Sequence, residues 1–142
     1  MTESSDQTPR PPEPAFQSLG MPLPFDAQVS YRFGVPLIYV EGELDYESVD
    51  ELREVIDEEL SSDQSVLLLE FSRLAYMDSR GLSLLFSTLE RLRGTGWLGV
   101  VNPKPNVRKL AEMTGLADRD GFLFIEDLES VPAAIGERSK EP

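Results

Sequence analysis

The stretch "SVLLLEFSRLAYMDSRGLSLLFSTLERLRG", residues 65–94, joins three patterns that together indicate the fold. Residues 65–71 form a short apolar run between polar residues, which is typical of a strand buried on both faces. Apolar residues then recur at helical spacing over 79–94, and Gly94 suits the end of that helix. This apolar stripe consists of Leu82, Leu85, Phe86, Leu89 and Leu92. Between strand and helix lies a polar cluster, residues 77–81, which is larger than a helix start requires.

Strand and helix patterns alternate along the rest of the chain. The predicted strands are 27–33, 37–42, 65–71, 96–102 and 122–126, and the predicted helices are 45–60, 79–94, 104–116 and 127–137. The first two strands read as a hairpin, and Asp45 and Asp127 suit the caps of the helices that they precede. The order β-β-α-β-α-β-α-β-α predicts an α/β fold. Its mixed, mostly parallel sheet is flanked by helices and carries an N-terminal antiparallel strand.

The chain divides into one domain and two tails. Residues 1–26 hold six prolines and few large apolar side chains, so we predict a disordered tail there. The domain is predicted over 27–138, and residues 139–142 form a polar C-terminal tail. A chain of 142 residues fits one domain, which can bury a core without disulfides or metals.

Composition argues against several classes of function. The chain has no histidine and no cysteine, so it lacks the commonest general base, the commonest metal ligand and any thiol nucleophile. A net charge of −13 argues against binding to nucleic acid or to an anionic membrane. No apolar run approaches the ~20 residues of a membrane span, and no secretory signal is present, so we expect a cytoplasmic protein. No spacing supports a metal site, a cofactor or a phosphate loop, and we predict that the protein is not an enzyme.

Much of the negative charge lies in one segment. Residues 41–59 hold ten acidic residues against one base, Arg53. Such a run is usually a solvated helix face. It also suits a partner with a basic surface, because complementary fields speed encounter. The residues alone leave both interpretations open.

Ser79 stands at the predicted helix start, just beyond a strand. Partner surfaces of open α/β sheets gather at this edge, and a helix start presents unpaired N–H groups and partial positive charge. A phosphate on Ser79 would suit this position and would add about −1.5 to −2 charges to an exposed corner. A second interpretation, in which Ser79 is an N-cap, stays open. Asp78 either orients Ser79, contacts a partner or caps the helix.

Three stretches resemble the STAS domains of the anti-sigma factor antagonist family. "YMDSRGLSLLFSTLERLR" (76–93) is similar to the family's Asp-Ser-Ser/Thr-Gly-Leu motif, which an apolar helix follows. "VEGELDYES" (40–48) is similar to the Gly-Glu-Leu-Asp segment that leads into the first helix. "NPKPNVRKLAEMTGL" (102–116) is similar to a later segment in which proline opens a helix closed by Thr/Ser-Gly-Leu. The resemblance implies the family's fold, a small sheet with four or five helices and an N-terminal antiparallel strand.

The resemblance also implies a function without catalysis. In this family the serine after the aspartate is phosphorylated, and it corresponds to Ser79. The unphosphorylated antagonist binds an anti-sigma factor that is itself a serine kinase, which frees the sigma factor. Phosphorylation ends binding, and a PP2C-type phosphatase restores it. The expected partner-binding residues are Asp45, Asp78, Ser79, Arg80 and Gly81, and the free protein is expected to be a monomer.

Arg80 departs from the family pattern, which has serine or threonine after the phosphorylated serine. A guanidinium at this position is able to pair with a phosphate, which would alter the strength of the switch or the choice of kinase. An alternative function also stays open. It is a STAS module that does not switch by phosphorylation, either a scaffold of a stress-sensing assembly or an accessory subunit of a transporter. The intact pair of Asp78 and Ser79 favours the switching antagonist.

Overall fold

The computed structural model describes residues 23–62 and 64–139. Residues 1–22 of the predicted N-terminal tail and residues 140–142 of the predicted C-terminal tail lie outside this part of the chain. The described residues form the element order that the sequence predicts. The elements are β1 (Asp26–Arg32), β2 (Val35–Leu44), α1 (Val49–Leu60), β3 (Val66–Met77), α2 (Ser79–Leu92), β4 (Trp97–Val101), α3 (Pro105–Met113), β5 (Phe122–Ile125) and α4 (Val131–Ser139).

The strands form one five-stranded sheet in the order β1-β2-β3-β4-β5. Strand β1 is antiparallel to β2, and β2 to β5 are parallel to one another. This confirms the predicted mixed, mostly parallel α/β architecture with an antiparallel N-terminal strand. Leu44 at the end of β2 pairs with Met77 at the end of β3. The segments that follow these two strands therefore start side by side at one edge of the sheet.

The two faces of the sheet are covered unequally. Helices α1, α2 and α3 pack on one face around the larger core cluster, while α4 packs on the other face. The apolar stripe of α2 lies in the larger cluster, because a helix with leucines at this spacing has one continuous apolar side. Trp97 and Val131 belong to the smaller cluster, and both are buried. The fully buried side chains include Leu37, Ile38, Leu44, Leu52, Ile56, Leu67, Leu68, Leu69, Phe71, Leu74, Leu85 and Leu92.

Three element bounds differ from the sequence prediction near the edge where β2 and β3 end, and the smallest difference is that β2 continues to Leu44 rather than ending at residue 42. Strand β3 was predicted to end at residue 71 but continues to Met77, because pairing with β2 resumes after irregularities in register. Helix α1 was predicted from residue 45, with Asp45 as its cap, but it begins at Val49. The prediction of an Asp45 cap is wrong because residues 45–48 form a separate turn ahead of the helix.

The last helix also begins later than predicted. Asp127 caps a short 3-10 turn, Leu128–Ser130, by accepting the N–H of Ser130 at 3.0 Å. Helix α4 follows directly from Val131. The predicted helix over 127–137 is therefore two linked helical segments, and Asp127 caps the first of them.

Gly42, within β2, lets the chain entering β1 cross closely over it. Its φ is +96°, and a Cβ at this position would lie 2.8 Å from Phe25 Cα and 3.0 Å from the carbonyl carbon of Pro24. Both contacts are with backbone, so neither can move aside cheaply. Phe25 itself is partly buried against the larger core cluster. Residues 24–25 are thus fixed beside β2, and β1 begins at Asp26, one residue before the predicted start.

Replacing Gly42 with alanine is expected to lower the free energy of unfolding by about 2–3 kcal/mol, because both the positive φ and the backbone contact penalise a Cβ. Gly94→Ala is the matched control, since Gly94 has a φ of +82° but open space around it. Its expected cost is about 1 kcal/mol, from the left-handed conformation alone. Urea denaturation followed by Trp97 fluorescence measures both values. Equal losses in the two variants would contradict the close approach at Gly42.

Candidate functional site

Asp78 joins the end of β3 to the start of α2. Its backbone is extended, and its Oδ1 accepts the N–H of Arg80 at 2.8 Å and of Gly81 at 3.2 Å. Its carbonyl oxygen accepts the N–H of Leu82 at 3.0 Å. Asp78 is therefore the N-cap, which is the third of the roles left open for it. The interpretation of Ser79 as the cap is wrong, because Ser79 is the first residue of the helix.

Gly81 allows α2 to start directly against the ends of β2 and β3. A Cβ at Gly81 would lie 2.7 Å from Met77 Cγ and 2.8 Å from Leu44 Cδ2. Leu44 and Met77 are buried. The glycine is thus required for packing, so the structure gives it a role in positioning Ser79 and Arg80.

Ser79 is exposed at this corner. Its hydroxyl makes no hydrogen bond to any residue within 23–62 and 64–139. Two N–H groups of the first helical turn, those of Arg80 and Gly81, are already bonded to Asp78. The expectation of unpaired N–H groups at the helix start is therefore wrong for Arg80 and Gly81, whereas the Ser79 N–H has no partner within residues 23–62 and 64–139. A phosphate on Ser79 would lie beside an existing carboxylate rather than in a vacant ring of donors.

Asp45 lies in the turn between β2 and α1, at the same sheet edge. The Asp78 N–H donates to the Leu44 carbonyl at 3.1 Å, which brings this turn against the start of α2. Asp45 Oδ1 accepts the Glu47 N–H at 3.0 Å, and the Asp45 N–H donates to Ser48 Oγ at 3.0 Å. The carboxylate of Asp45 thus holds its own turn together. The structure brings Asp45 to the same edge as residues 78–81 without a hydrogen bond between them.

An aromatic contact links the same turn to α2. The guanidinium carbon of Arg80 lies 5.5 Å from the centre of the Tyr46 ring. Tyr46 is 63% exposed, and Tyr76, near the end of β3, is 47% exposed. Sequence reasoning did not select either tyrosine as a candidate site residue. The sequence does contain a feature that could have identified them. Each tyrosine lies beside a polar turn at the end of a strand and does not belong to the apolar pattern of the neighbouring strand or helix.

The end of β2, the turn that follows it and helix α1 together present an acidic surface next to this corner. Asp50 and Asp57 each form an ion pair with an arginine, Arg53 and Arg91 respectively. Five other exposed acids form no ion pair with a residue in the described ranges. We call these five the acidic surface: Glu43, Glu47, Glu51, Glu54 and Glu58.

Glu59 is the buried acid of α1 and has a structural role. Its carboxylate accepts a hydrogen bond from the Tyr31 hydroxyl of β1. This hydrogen bond raises the pKa of Tyr31 above its ordinary value, because ionised Tyr31 could no longer donate and would repel Glu59. Glu59 thus ties α1 to the edge strand and is not part of the acidic surface.

The residues at this sheet edge give little support for a metal site or an enclosed small-molecule site. An open pocket of about 290 Å³ lies beside the β2–α1 turn and is lined by Leu23, Phe25, Ser48 and four acidic side chains. Within residues 23–62 and 64–139, no group of three or more acidic side chains is arranged to hold a metal ion. No helix in the same ranges is long and apolar enough to cross a membrane.

Comparison with known proteins identifies the family. The STAS domain model matches residues 26–130. The "Anti-sigma F factor antagonist" of Paenibacillus polymyxa is 29% identical over 91 residues, which cover 63% of this chain and 78% of that protein. The "Anti-sigma-B factor antagonist" of Staphylococcus aureus is 33% identical over 82 residues, which cover 57% of this chain and 76% of that protein. The chain belongs to the STAS domain family. Both relatives are members that carry the name anti-sigma factor antagonist.

Solved structures share the fold. An anti-sigma factor antagonist from Mycobacterium paratuberculosis superposes with a TM-score of 0.71 at 27% identity, covering 80% of this chain and 95% of that chain. The Bacillus cell fate determinant SpoIIAA in its phosphorylated form superposes with a TM-score of 0.60 at 24% identity, covering 78% of this chain and 99% of that chain. The family resemblance read from the three sequence motifs is thereby confirmed.

The cap assignment predicts different costs for neighbouring substitutions. Asp78→Ala is expected to lower the free energy of unfolding by about 1 kcal/mol, because two helix N–H groups lose their acceptor. Asp78→Asn should retain most of the stability, since an amide oxygen also caps well. Ser79→Ala should change it by less than about 0.5 kcal/mol, as expected for an exposed position. Urea denaturation compares the three, and a Ser79→Ala loss as large as that of Asp78→Ala would overturn the assignment.

Proposed function

We propose that this protein is an anti-sigma factor antagonist whose binding is switched by phosphorylation of Ser79. The unphosphorylated chain binds an anti-sigma factor that is also a serine kinase, and this binding frees the sigma factor. Phosphorylation ends the interaction, and a PP2C-type phosphatase restores it. The protein acts in the cytoplasm, is a monomer when it is not bound to a partner, and has no catalytic residues of its own.

One observation carries the proposal: Ser79 is exposed, its hydroxyl is unbonded within the described ranges, and it lies where the ends of β2 and β3 meet. A kinase can reach such a hydroxyl without unfolding the helix. The names of the relatives support the partner, because proteins of this fold from Paenibacillus polymyxa and Staphylococcus aureus are anti-sigma factor antagonists. The fold and the site thus support the same function.

The surface around Ser79 suits a protein partner better than a small molecule. It is open, and it presents Tyr46, Tyr76 and Arg80, which are side chains of the types that dominate binding energy in protein interfaces. Asp45 supports this surface by shaping the turn that carries Tyr46. Gly81 supports it by letting α2 approach the strand ends.

A phosphate on Ser79 would disturb a partner docked on this surface for two reasons. It would add about −1.5 to −2 charges beside the Asp78 carboxylate, and a close contact would have to desolvate both groups. It would also occupy space at an exposed corner where the unmodified serine occupies little. Phosphorylation is therefore expected to weaken a formed complex.

The first experiment uses the full chain as bait in extracts of its own cells. A Ser79→Ala chain, which cannot be phosphorylated there, should capture a partner that mass spectrometry identifies as a serine kinase. With that partner purified, Ser79→Asp should weaken binding at least about 100-fold, because a second carboxylate beside Asp78 would have to be desolvated in the contact. Ser87→Asp is the matched control, because Ser87 is exposed two turns further along α2. Equal affinities for the Ser79→Asp and unmodified chains would refute the switch.

A second measurement follows the modification in cells. Trypsin cleavage after Arg73 and Arg80 releases residues 74–80, whose phosphorylatable side chains are Tyr76 and Ser79. We expect phosphate on Ser79 that rises and falls with growth condition. Because phosphate beside Arg80 slows cleavage there, the longer fragment must be measured as well. A fragment that stays unmodified in every condition, with a partner bound throughout, would favour the non-switching scaffold.

The acidic surface predicts a kinetic effect on the same complex. Glu47→Lys combined with Glu51→Lys should lower the association rate constant about tenfold at low salt, because electrostatic steering toward a basic partner is lost. The difference should shrink at high salt. Glu129→Lys combined with Glu137→Lys, at exposed positions in the turn before α4 and on α4, is the control with the same change of charge. Stopped-flow mixing measures the rates, and unchanged association in the double variant would leave α1 as a solvated face.

A further inference from the structure

Arg80 differs from most other arginines of the fold in how it is held. Arg53, Arg91, Arg93, Arg108 and Arg119 each lie within 4 Å of a carboxylate. In the described ranges, Arg80 forms no such ion pair, although the acidic surface lies nearby. Its guanidinium instead lies over the Tyr46 ring, at 5.5 Å from the ring centre. An exposed contact of this kind is weak, so the guanidinium is available to a stronger anionic partner.

The helix start leaves a phosphate on Ser79 short of donors. The N–H groups of Arg80 and Gly81 are bonded to the Asp78 carboxylate, and the N–H of Leu82 is bonded to the Asp78 carbonyl. A phosphate placed beside Asp78 therefore meets a like charge and three N–H groups already in use, and within the described ranges only the N–H of Ser79 itself is without a partner at this helix start. The cation next to it along the chain is Arg80.

We propose that Arg80 is the phosphate-responsive residue of this switch: a phosphate on Ser79 draws its guanidinium away from Tyr46 and into a cis ion pair. The inference rests on the proposed phosphorylation of Ser79 and adds the residue that forms an ion pair with the phosphate. The contact with Tyr46 is lost as the new pair forms. Phosphorylation thereby changes the partner surface at two places, the serine itself and the β2–α1 turn.

The geometry permits this exchange. Adjacent helical positions project about 100° apart and do not normally face each other. Ser79 and Arg80 are consecutive, exposed residues at the start of α2, however, and the long arginine side chain can turn back toward a phosphate on its neighbour. The Arg80 side chain already reaches across to Tyr46. A doubly charged phosphate accepts paired, charge-assisted hydrogen bonds from a guanidinium, which are stronger than contact with an exposed ring.

The test installs phosphoserine at position 79 during synthesis of the full chain and titrates it by ³¹P NMR. We expect the second phosphate pKa to be lower in the unmutated background than in Arg80→Gln by about half a pH unit, because a neighbouring cation favours the dianion. The second ionisation of the phosphate, near pH 6, is not overlapped by the titration of any histidine, since the chain has none. Asp78 faces the phosphate in both chains and does not contribute to the difference. Lys104→Gln, at the exposed cap of α3 on the same sheet edge, is the charge-matched control.

The second readout is the Tyr46 ring itself. Its ¹H–¹³C resonances should move on phosphorylation toward their positions in unphosphorylated Arg80→Gln, while those of Tyr31 on β1 should not. Equal phosphate pKa values in the two backgrounds, or Tyr46 resonances that phosphorylation leaves unchanged, would overturn the proposal. Because the phosphate is installed without a kinase, failure here leaves the proposed switch intact. Failure to find a kinase would likewise leave this measurement valid.

Discussion

The Asp78 main chain and side chain form the junction on which the candidate site depends. The carboxylate caps α2 by accepting two N–H groups, while the backbone N–H of the same residue donates to Leu44 at the end of β2. One residue thus fixes the end of β3, the start of α2 and the start of the β2–α1 turn. Gly81 permits the junction, because any side chain there would meet Leu44 and Met77. Ser79 and Arg80 owe their exposure to this arrangement, since their neighbours at 78 and 81 make the inward contacts.

Local patterns predicted the fold because each element has a strong signal of its own. The apolar stripe of α2 and the continuous apolar runs of β3 and β4 need no tertiary information. The bounds that were wrong depend on contacts between elements. Residues 72–77 include polar side chains that end an apolar run, yet β3 continues because β2 pairs with it as far as Met77. Asp45 precedes the residues of α1 as a cap would, but its hydrogen bonds form a separate turn, residues 45–48, ahead of Val49.

The position of the candidate site was predictable, but its chemistry was only partly so. The cluster at 77–81 is a local feature, and the topology of parallel strands indicates which edge it occupies. The contact between Arg80 and Tyr46 joins residues 34 positions apart and follows from the bond between Asp78 and Leu44. The use of the helix N–H groups by Asp78 rather than Ser79 was likewise open, because either residue type caps well. Sequence patterns therefore located the corner, and side-chain geometry was needed to show which groups remain available there.

The proposed switch releases an already acidic protein by adding more negative charge, and distance resolves this apparent conflict. In this proposal the acidic surface acts while the partner is still separated by water, where like and unlike charges chiefly alter the rate of encounter. A phosphate on Ser79 would act after contact, where a dianion beside Asp78 would have to lose its water and where the position of Arg80 would decide how much of that charge is compensated. A basic partner can therefore be attracted by α1 and still dissociate from a phosphorylated corner. Under the proposed function, long-range charge would govern association, and the groups around Ser79 would govern dissociation. The residues proposed for these two roles occupy adjacent segments at the same sheet edge, so a single covalent change would reverse binding without altering the fold.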